Sequence, residues 1–418
     1  MKLRPYLALY AETDARTACL PEGSWSHVIC IPAYKEDPDF LRQLAGFEQK
    51  SPTLCILNIN AAEDSGSENI ALTRICLGNA RALPEKQGCE EWLSLHTLSE
   101  KLDVLVMDNC SDSRLMPPGK GVGLARKMAC DLACRMVDEG LVENPWLGCT
   151  DADVHLPANY FAPQTDTQWR NAAALLYPFE HLPHEDCSIN LSQQLYDFSL
   201  HYYVAGLAFA GSPYAFQTIG STMAIHAQAY CKVRGFPKRE AAEDFYMLNK
   251  LAKTGKVVSL AAPPISIDCR KSDRVPFGTG AAIGKLSDMQ DPLAQYQYYN
   301  PGVFACLKTW LEILPVLESG KLNLEQALSG KQNAGLIHAV LYEIGAERAL
   351  AHARQHSSTQ AGFLKHMHDW FDAFRTLKYV HAVRDRHFGT VTLAETALAT
   401  AVADWDLSLY DMRNAMLE

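Results

Sequence analysis

Four short apolar runs, His27–Pro32 (HVICIP), Thr53–Asn60 (TLCILNIN), Asp103–Asp108 (DVLVMD) and Trp146–Thr150, each stop at a polar residue or a proline. They are too short for helices and rich in β-branched residues, which predicts buried strands. Between them lie helical patterns, Asp39–Glu48, Glu68–Ala82 and Leu124–Glu139, the last with a clear apolar stripe. A chain that alternates in this way is constrained to a layered α/β domain on a mostly parallel sheet. Ligands of such sheets sit beyond the carboxyl ends of the strands, so chemistry is to be sought where these runs end.

From about Asn300 the pattern changes. Strand-like runs nearly vanish, and helical spacing dominates through Leu307–Leu317, Leu322–Leu328, Gly335–Gln355 and Phe363–Arg384. Asn300, Pro301 and Gly302 supply turn chemistry. This predicts an α/β domain over residues 1–295 and an α-helical subdomain over 296–418, with Trp310, Leu314, Trp370, Phe371 and Phe374 seeking a partner surface. Residues 61–101 read as an insertion between two strands, opening on a polar surface stretch (AAEDSGSEN).

Composition narrows the function. With 418 residues, 48% hydrophobic and 21% charged, the chain is long enough for a substantial core. Formal net charge is -10 and the Lys and Arg residues are scattered, so the basic footprint of a nucleic-acid binder is missing. Thirteen cysteines stand as singletons without a Cys-x-x-Cys pair, which reads as free thiols in a reducing cytoplasm. The richest apolar stretch, Tyr202–Gly211, falls well short of the ~20 residues that a transmembrane helix needs. A lipid acceptor would therefore be met peripherally.

Five segments carry suggestive chemistry. In Thr150-Asp151-Ala152-Asp153, alternate side chains of an extended segment share a face, so Asp151 and Asp153 suit a hard cation such as Mg²⁺ or Mn²⁺. Spacing alone is weak, because Asp37-Pro38-Asp39 and Asp404-Trp405-Asp406 repeat it; the position after a strand sets the first pair apart. In Pro32-Ala33-Tyr34-Lys35-Glu36, small residues after the first strand would admit a ligand, Tyr34 could stack on a base and Glu36 could bond a ribose hydroxyl; an ordinary strand-to-helix loop is the alternative. The glycine-rich stretch Gly119–Gly123 runs into a helix bearing Arg126 and Lys127, a possible diphosphate cradle, or simply a flexible basic loop. Glu243 and Asp244 open a helix, where adjacent side chains diverge by about 100° and only one can face a given site. Arg270, Lys271 and Arg274 could close over a diphosphate, or be solvated. His366, His368 and His381 lack a zinc-like spacing.

In this order the segments resemble family 2 inverting glycosyltransferases of the GT-A fold, over roughly residues 26–285. Ile31–Glu36 is similar to the opening nucleotide loop, and Val106–Asp112 (VMDNCSD) to the second nucleotide-binding strand end. Asp151-Ala152-Asp153 resembles the metal motif, and Gly235-Phe236-Pro237 with Glu243-Asp244 the acceptor-side element. The insertion leaves the base-contacting residue open between Asn60 and Asp108. The resemblance implies a Rossmann-like sheet flanked by helices and a nucleotide-diphosphate sugar donor. Its donor-binding residues would be Pro32, Ala33, Tyr34, Glu36, Asn60 or Asp108, Gly121, Arg126, Asp151, Arg270 and Arg274. A metal would lie at Asp151 and Asp153, with Asp244 as base and Glu243 as substitute. The acceptor stays unidentified. The Gln-x-x-Arg-Trp sequence of processive synthases is absent. Two other readings stand beside it: a sugar-1-phosphate nucleotidyltransferase, whose glycine-rich opening loop is missing here, and a catalytically silent nucleotide-sugar-binding protein.

Overall fold

The computed structural model describes residues 3–270 and 278–398. The chain divides into two units, Met1–Glu185 with Thr218–Ala281, and Asp186–Gln217 with Ala282–Glu418. The second unit thus joins a segment from the middle of the chain, Asp186–Gln217, to the C-terminal part.

Among the described residues, twelve strands lie in the first unit. In chain order they are β1 (His27–Ala33), β2 (Thr53–Asn60), β3 (Glu85–Glu90), β4 (Leu93–Ser99), β5 (Leu102–Asn109) and β6 (Trp146–Cys149). Then come β7 (Val154–His155), β8 (Ala172–Leu176), β9 (Phe179–His181), β10 (Met223–His226), β11 (Lys256–Ser259) and β12 (Ile265–Ile267). Nine form one sheet in the order β11-β8-β10-β6-β1-β2-β5-β4-β3, and three a small sheet, β7-β12-β9. Its centre, β6-β1-β2-β5, is parallel. The flanks are mixed: β10 runs antiparallel to β6 and β8, β11 parallel to β8, and β4 antiparallel to β5 and β3.

Every residue of β1 and β2 is buried, as expected of parallel strands covered on both faces. The helix Gly121–Asp138 packs on β1 and β2, and Ser67–Arg81 on β2 and β5. Residues 61–101 are more than a surface loop: they supply the Ser67–Arg81 helix and the β3–β4 hairpin at the sheet edge. The edge strand reads Glu-Lys-Gln-Gly-Cys-Glu, and its charges discourage further pairing.

Chain order through the centre fixes where a ligand can sit. From β1 the chain builds outward through β2 and β5, then returns to place β6 on the other side of β1. The gap between the carboxyl ends of β1 and β6 is therefore the switch point of the sheet.

In the second unit the helices Cys187–Phe209, Pro301–Leu317, Ala334–Glu343, Ala346–Gln355, Gln360–Trp370 and Ala373–Val383 share one apolar core. Trp310, Leu314 and Phe371 are buried in it, whereas Phe374 is 37% exposed. Gly206 lets Phe304 approach closely, since a Cβ there would lie 2.7 Å from the ring. All thirteen cysteines are free thiols, and among the described residues no helix is long and apolar enough to cross a membrane.

Candidate functional site

At the switch point β6 pairs with β1 only from Val28 to Cys30, while β1 continues to Ala33. Pro32, which has no N–H to donate, lies beyond that ladder. The chain leaving β6 carries Asp151 and Asp153, and the turn after β1 carries Glu36.

Arg126 ties this region together. It is buried on the Gly121–Asp138 helix and donates from Nη2 to Asp151 Oδ1 at 2.6 Å, from Nε to Glu243 Oε1 at 2.9 Å and from Nη1 to the Gly220 carbonyl at 3.0 Å. Gly220 is required by contact, since a Cβ there would lie 2.7 Å from Arg126 Nη2. Nothing in the sequence around Gly220 marks it. A second guanidinium, Arg270, holds Glu36 at 3.1 and 3.3 Å and Asp153 Oδ2 at 2.5 Å. Asp153 is further fixed by its carbonyl, which accepts from Asp268 N at 2.9 Å; the Asp268 carboxylate meets His155 Nε2 at 2.9 Å. His155 and Asp268 are site-wall residues that sequence reasoning passed over. The sequence signal was proximity alone, because Ala152 and Asp153 form a turn and His155 lies just after it in β7.

The first unit thus gathers five carboxylates, on Glu36, Asp151, Asp153, Glu243 and Asp244, around two guanidiniums. Electrostatics show the excess. Desolvation pushes Asp151 up to about 6, Arg126 opposes it, and the charges of Asp153, Glu243 and Glu36 add to the rise. Asp244 rises to about 7, first by burial and then by its neighbour Glu243, against the Phe245 N–H that its Oδ1 accepts at 2.6 Å. Burial alone would lower Arg126, but Asp151 and Glu243 keep its pKa above the usual value.

Glu243 and Asp244 begin the helix Glu243–Leu251 and point to different neighbours, Glu243 to Arg126. The residue before them, Ala242, has φ 58. A left-handed alanine costs roughly 1–2 kcal/mol, so the surrounding contacts impose this turn.

The remaining expected residues have protein partners. Pro32 and Ala33 are buried within β1, and the Ala33 carbonyl accepts from Asn60 Nδ2 at 3.2 Å. Tyr34 OH lies 3.4 Å from Ser65 Oγ. Asp108 accepts from the N–H groups of Cys110 and Ser111 at 3.0 Å and from Ser111 Oγ at 2.6 Å, capping the turn after β5. The glycines before Arg126 serve close packing. A Cβ on Gly121 would lie 2.7 Å from Glu240 Cα and one on Gly123 2.4 Å from the Pro237 carbonyl, and Gly123 N donates to Arg239 O at 2.9 Å. Lys127 points away from Arg126 into a separate buried cluster. Arg274 and Lys271 lie outside the described residues.

Among the described residues no group of three or more His, Cys, Asp or Glu side chains forms a metal cage. Asp151 and Asp153 are carboxylates each engaged by a guanidinium, Arg126 and Arg270, and oxygen donors of this kind are the chemistry that a hard divalent ion of the Mg²⁺ type takes. Such ions are commonly held by one or two carboxylates and complete their shell with water and phosphate oxygens.

No protein-family model matches the chain, and no curated protein sequence matches it. Among solved structures, a mannosyltransferase, PcManGT from Pyrobaculum calidifontis in complex with GDP-Man and Mn2+, aligns over 92% of each chain with 16% sequence identity and a TM-score of 0.32. A likeness of that size fixes neither fold nor activity.

Proposed function

We propose that this chain is a metal-dependent inverting glycosyltransferase that moves a sugar from a nucleotide-diphosphate donor to an acceptor hydroxyl. The observation that carries the reading is the cluster at the β1/β6 switch point, where carboxylates exceed guanidiniums and one carboxyl, Asp244, is poised near neutrality. Excess carboxylate suits a divalent cation, and a group that titrates near 7 suits general-base work.

Asp151 and Asp153 would hold Mg²⁺ or Mn²⁺, which when bound supplies charge neutralisation for a departing diphosphate. Arg126, fixed on three sides, presents a positive charge that needs no rearrangement during the reaction. Arg270 bridges Glu36 and Asp153 and orients both. Asp244 takes the proton of the acceptor hydroxyl as that oxygen attacks the anomeric carbon from the face opposite the leaving diphosphate, which inverts the centre. Glu243 holds Arg126 in place beside it. The thirteen free thiols fit work in the cytoplasm, with any lipid acceptor met at the membrane surface.

The test is calorimetric titration of nucleoside diphosphates with and without Mn²⁺, followed by assay of nucleoside diphosphate release from a panel of nucleotide sugars. Metal-dependent binding with donor-specific release is expected. Binding that ignores Mn²⁺ and release from no donor would reject the assignment.

A further inference from the structure

Helix Gly121–Asp138 carries a second charged cluster, one residue on from Arg126 and on another face. The Asp131 carboxylate is fully buried and accepts from Tyr6 OH at 2.5 Å, Tyr230 OH at 2.8 Å, Glu12 N at 2.8 Å and Lys127 Nζ at 2.7 Å. Lys127 Nζ also donates to Tyr6 OH at 2.8 Å and to the Tyr10 carbonyl at 3.0 Å. The proposed reaction uses none of these groups. A buried ion pair in which every lone pair is occupied specifies geometry more than it adds stability.

The geometry it specifies is that of the 233–242 turn. This turn is left-handed at three positions, Arg234 (φ 64), Gly235 (φ 71) and Ala242 (φ 58), and two of them are not glycine. Each has an external hold or a catalytic neighbour. A Cβ on Gly235 would lie 2.4 Å from Tyr6 OH and 2.9 Å from Tyr230 OH, so the turn packs directly on the cluster. The Arg234 guanidinium sits 4.5 Å over the Tyr10 ring. Glu12 Oε1 takes Lys238 Nζ at 2.7 Å. Arg239 O is bound by Gly123 N at 2.9 Å, on the same helix as Asp131 and Arg126. Ala242 leads straight into Glu243 and Asp244.

We infer that the N-terminal segment, residues 3–18, is a positioning element: through Tyr6 and Glu12 it clamps the 233–242 turn against the Arg126 helix and so places Asp244. Tyr6, Glu12 and Asp131 are positioning residues that touch no substrate. Local strain with contacts that over-determine it is the pattern expected where a fold holds a reactive group in a set direction. The inference rests on the proposed transferase reading for the role of Asp244, but the clamp itself is testable without it.

The experiment uses the full chain with Tyr6→Phe, which keeps the ring and removes the hydroxyl, and with a change at the partly exposed Glu12, Glu12→Gln, which loosens Lys238 and the longer 3.6 Å pairing with Lys127. Amide hydrogen exchange is read by mass spectrometry, with turnover and donor KM measured alongside. Expected for both variants is a rise of about tenfold or more in exchange confined to residues 234–246, with protection of the β1–β2 core unchanged. Turnover is expected to fall about tenfold while donor KM moves less than twofold, a split that loss of general stability would not produce. Unchanged exchange over 234–246, or a rise spread evenly through the first unit, overturns the clamp whatever the activity. Increased local exchange with wild-type turnover overturns the link to Asp244. A wild-type protein that releases nucleoside diphosphate from no donor rejects the transferase reading, and the exchange data then decide the clamp alone.

Discussion

Arg126 and Glu243, 117 positions apart, meet at 2.9 Å inside the first unit, and through Arg126 the helix that opens with Glu243-Asp244 is joined to Asp151. The guanidinium is buried and cannot shed its charge, and it is held by charged hydrogen bonds to both carboxylates. Glu243→Gln weakens one charged hydrogen bond of this buried group and should lower unfolding free energy by about 1.5–3 kcal/mol. Asp151 stays on the other side and keeps the loss below that of a fully orphaned charge. Urea unfolding with an unchanged slope checks this, and a midpoint equal to wild type would show the pair to be energetically idle.

The outline of the first unit was legible because buried parallel strands have a strong local signature. Thr53–Asn60 is a strand over that span, and His27–Pro32 falls one residue short of β1. The β3 strand was not legible: Glu85–Glu90 has neither apolar alternation nor β-branched residues, and it exists because β4 offers it a partner. Of the Cys187–Phe209 helix only the apolar end, from Tyr202, stood out in the sequence, and its membership of the second unit was not legible, since that depends on Phe198, Tyr202 and Leu195 meeting residues about a hundred positions later. In the site, acidic positions after strand ends could be named one by one. Their pairing with Arg126 and Arg270 could not, because it is set by tertiary distances. The glycines at 121 and 123 have a packing role that the sequence did not reveal. Close approach of backbone to backbone, here to residues 237–240, demands the same residue as close approach to phosphate.

Truncation near residue 295 tests the unit boundary. Such a chain keeps Cys187–Phe209 but loses Pro301–Leu317, against which Phe198 and Tyr202 are buried. Each side chain so exposed forfeits roughly 1.5–3 kcal/mol of burial. The expected outcome is an aggregating or dye-binding product by light scattering and ANS fluorescence. A monodisperse, cooperatively folding product would show that the helix needs no partner from beyond residue 295.

Asp244 should make stability and turnover depend on pH in opposite senses. Its folded pKa is raised from the ordinary 3.8 to about 7, so between those values the folded chain holds a proton that the unfolded chain has released. Stability therefore falls as pH rises across that window, and the loss is complete above 7. The proposed base, in contrast, works only when deprotonated, so turnover should rise with pH through about 7. Asp244→Asn should remove its share of the stability change between pH 5 and 8, measured by chemical unfolding. An Asn variant with the wild-type pH slope would place the titration on another group.

Asp153→Asn should weaken Mn²⁺-dependent nucleoside-diphosphate binding by about tenfold or more, because a neutral amide is a poor ligand for a hard cation. It also frees one arm of Arg270, which stays attached to Glu36. Asp404→Ala, which has the same Asp-x-Asp spacing and lies outside the described residues, is the matched control. Calorimetry with and without Mn²⁺ decides the matter, and equal metal-dependent affinities for wild type and Asp153→Asn would remove this residue from the metal site.

The last prediction separates binding from chemistry at one atom pair. Asp244→Asn keeps the side chain's shape and can still accept the Phe245 N–H, so the helix start should persist and nucleoside-diphosphate affinity should change less than about threefold. What the amide cannot do is take a proton, and general-base contributions are typically ~10²- to 10⁴-fold in rate. The loss should therefore appear in turnover and not in donor binding. Glu243→Gln gives the contrast. Its carboxylate is engaged by Arg126, so its effect should fall mainly on stability and on Arg126 placement, with a smaller loss of turnover at temperatures where the variant stays folded. Adjacent residues on a helix diverge by about 100°, so a single-base mechanism does not allow both changes to cost turnover equally. The measurement is turnover of each variant against an identified acceptor, with the anomeric configuration of the wild-type product read by NMR. Retained configuration, or an Asp244→Asn enzyme that turns over like wild type, would mean that the proton is taken elsewhere.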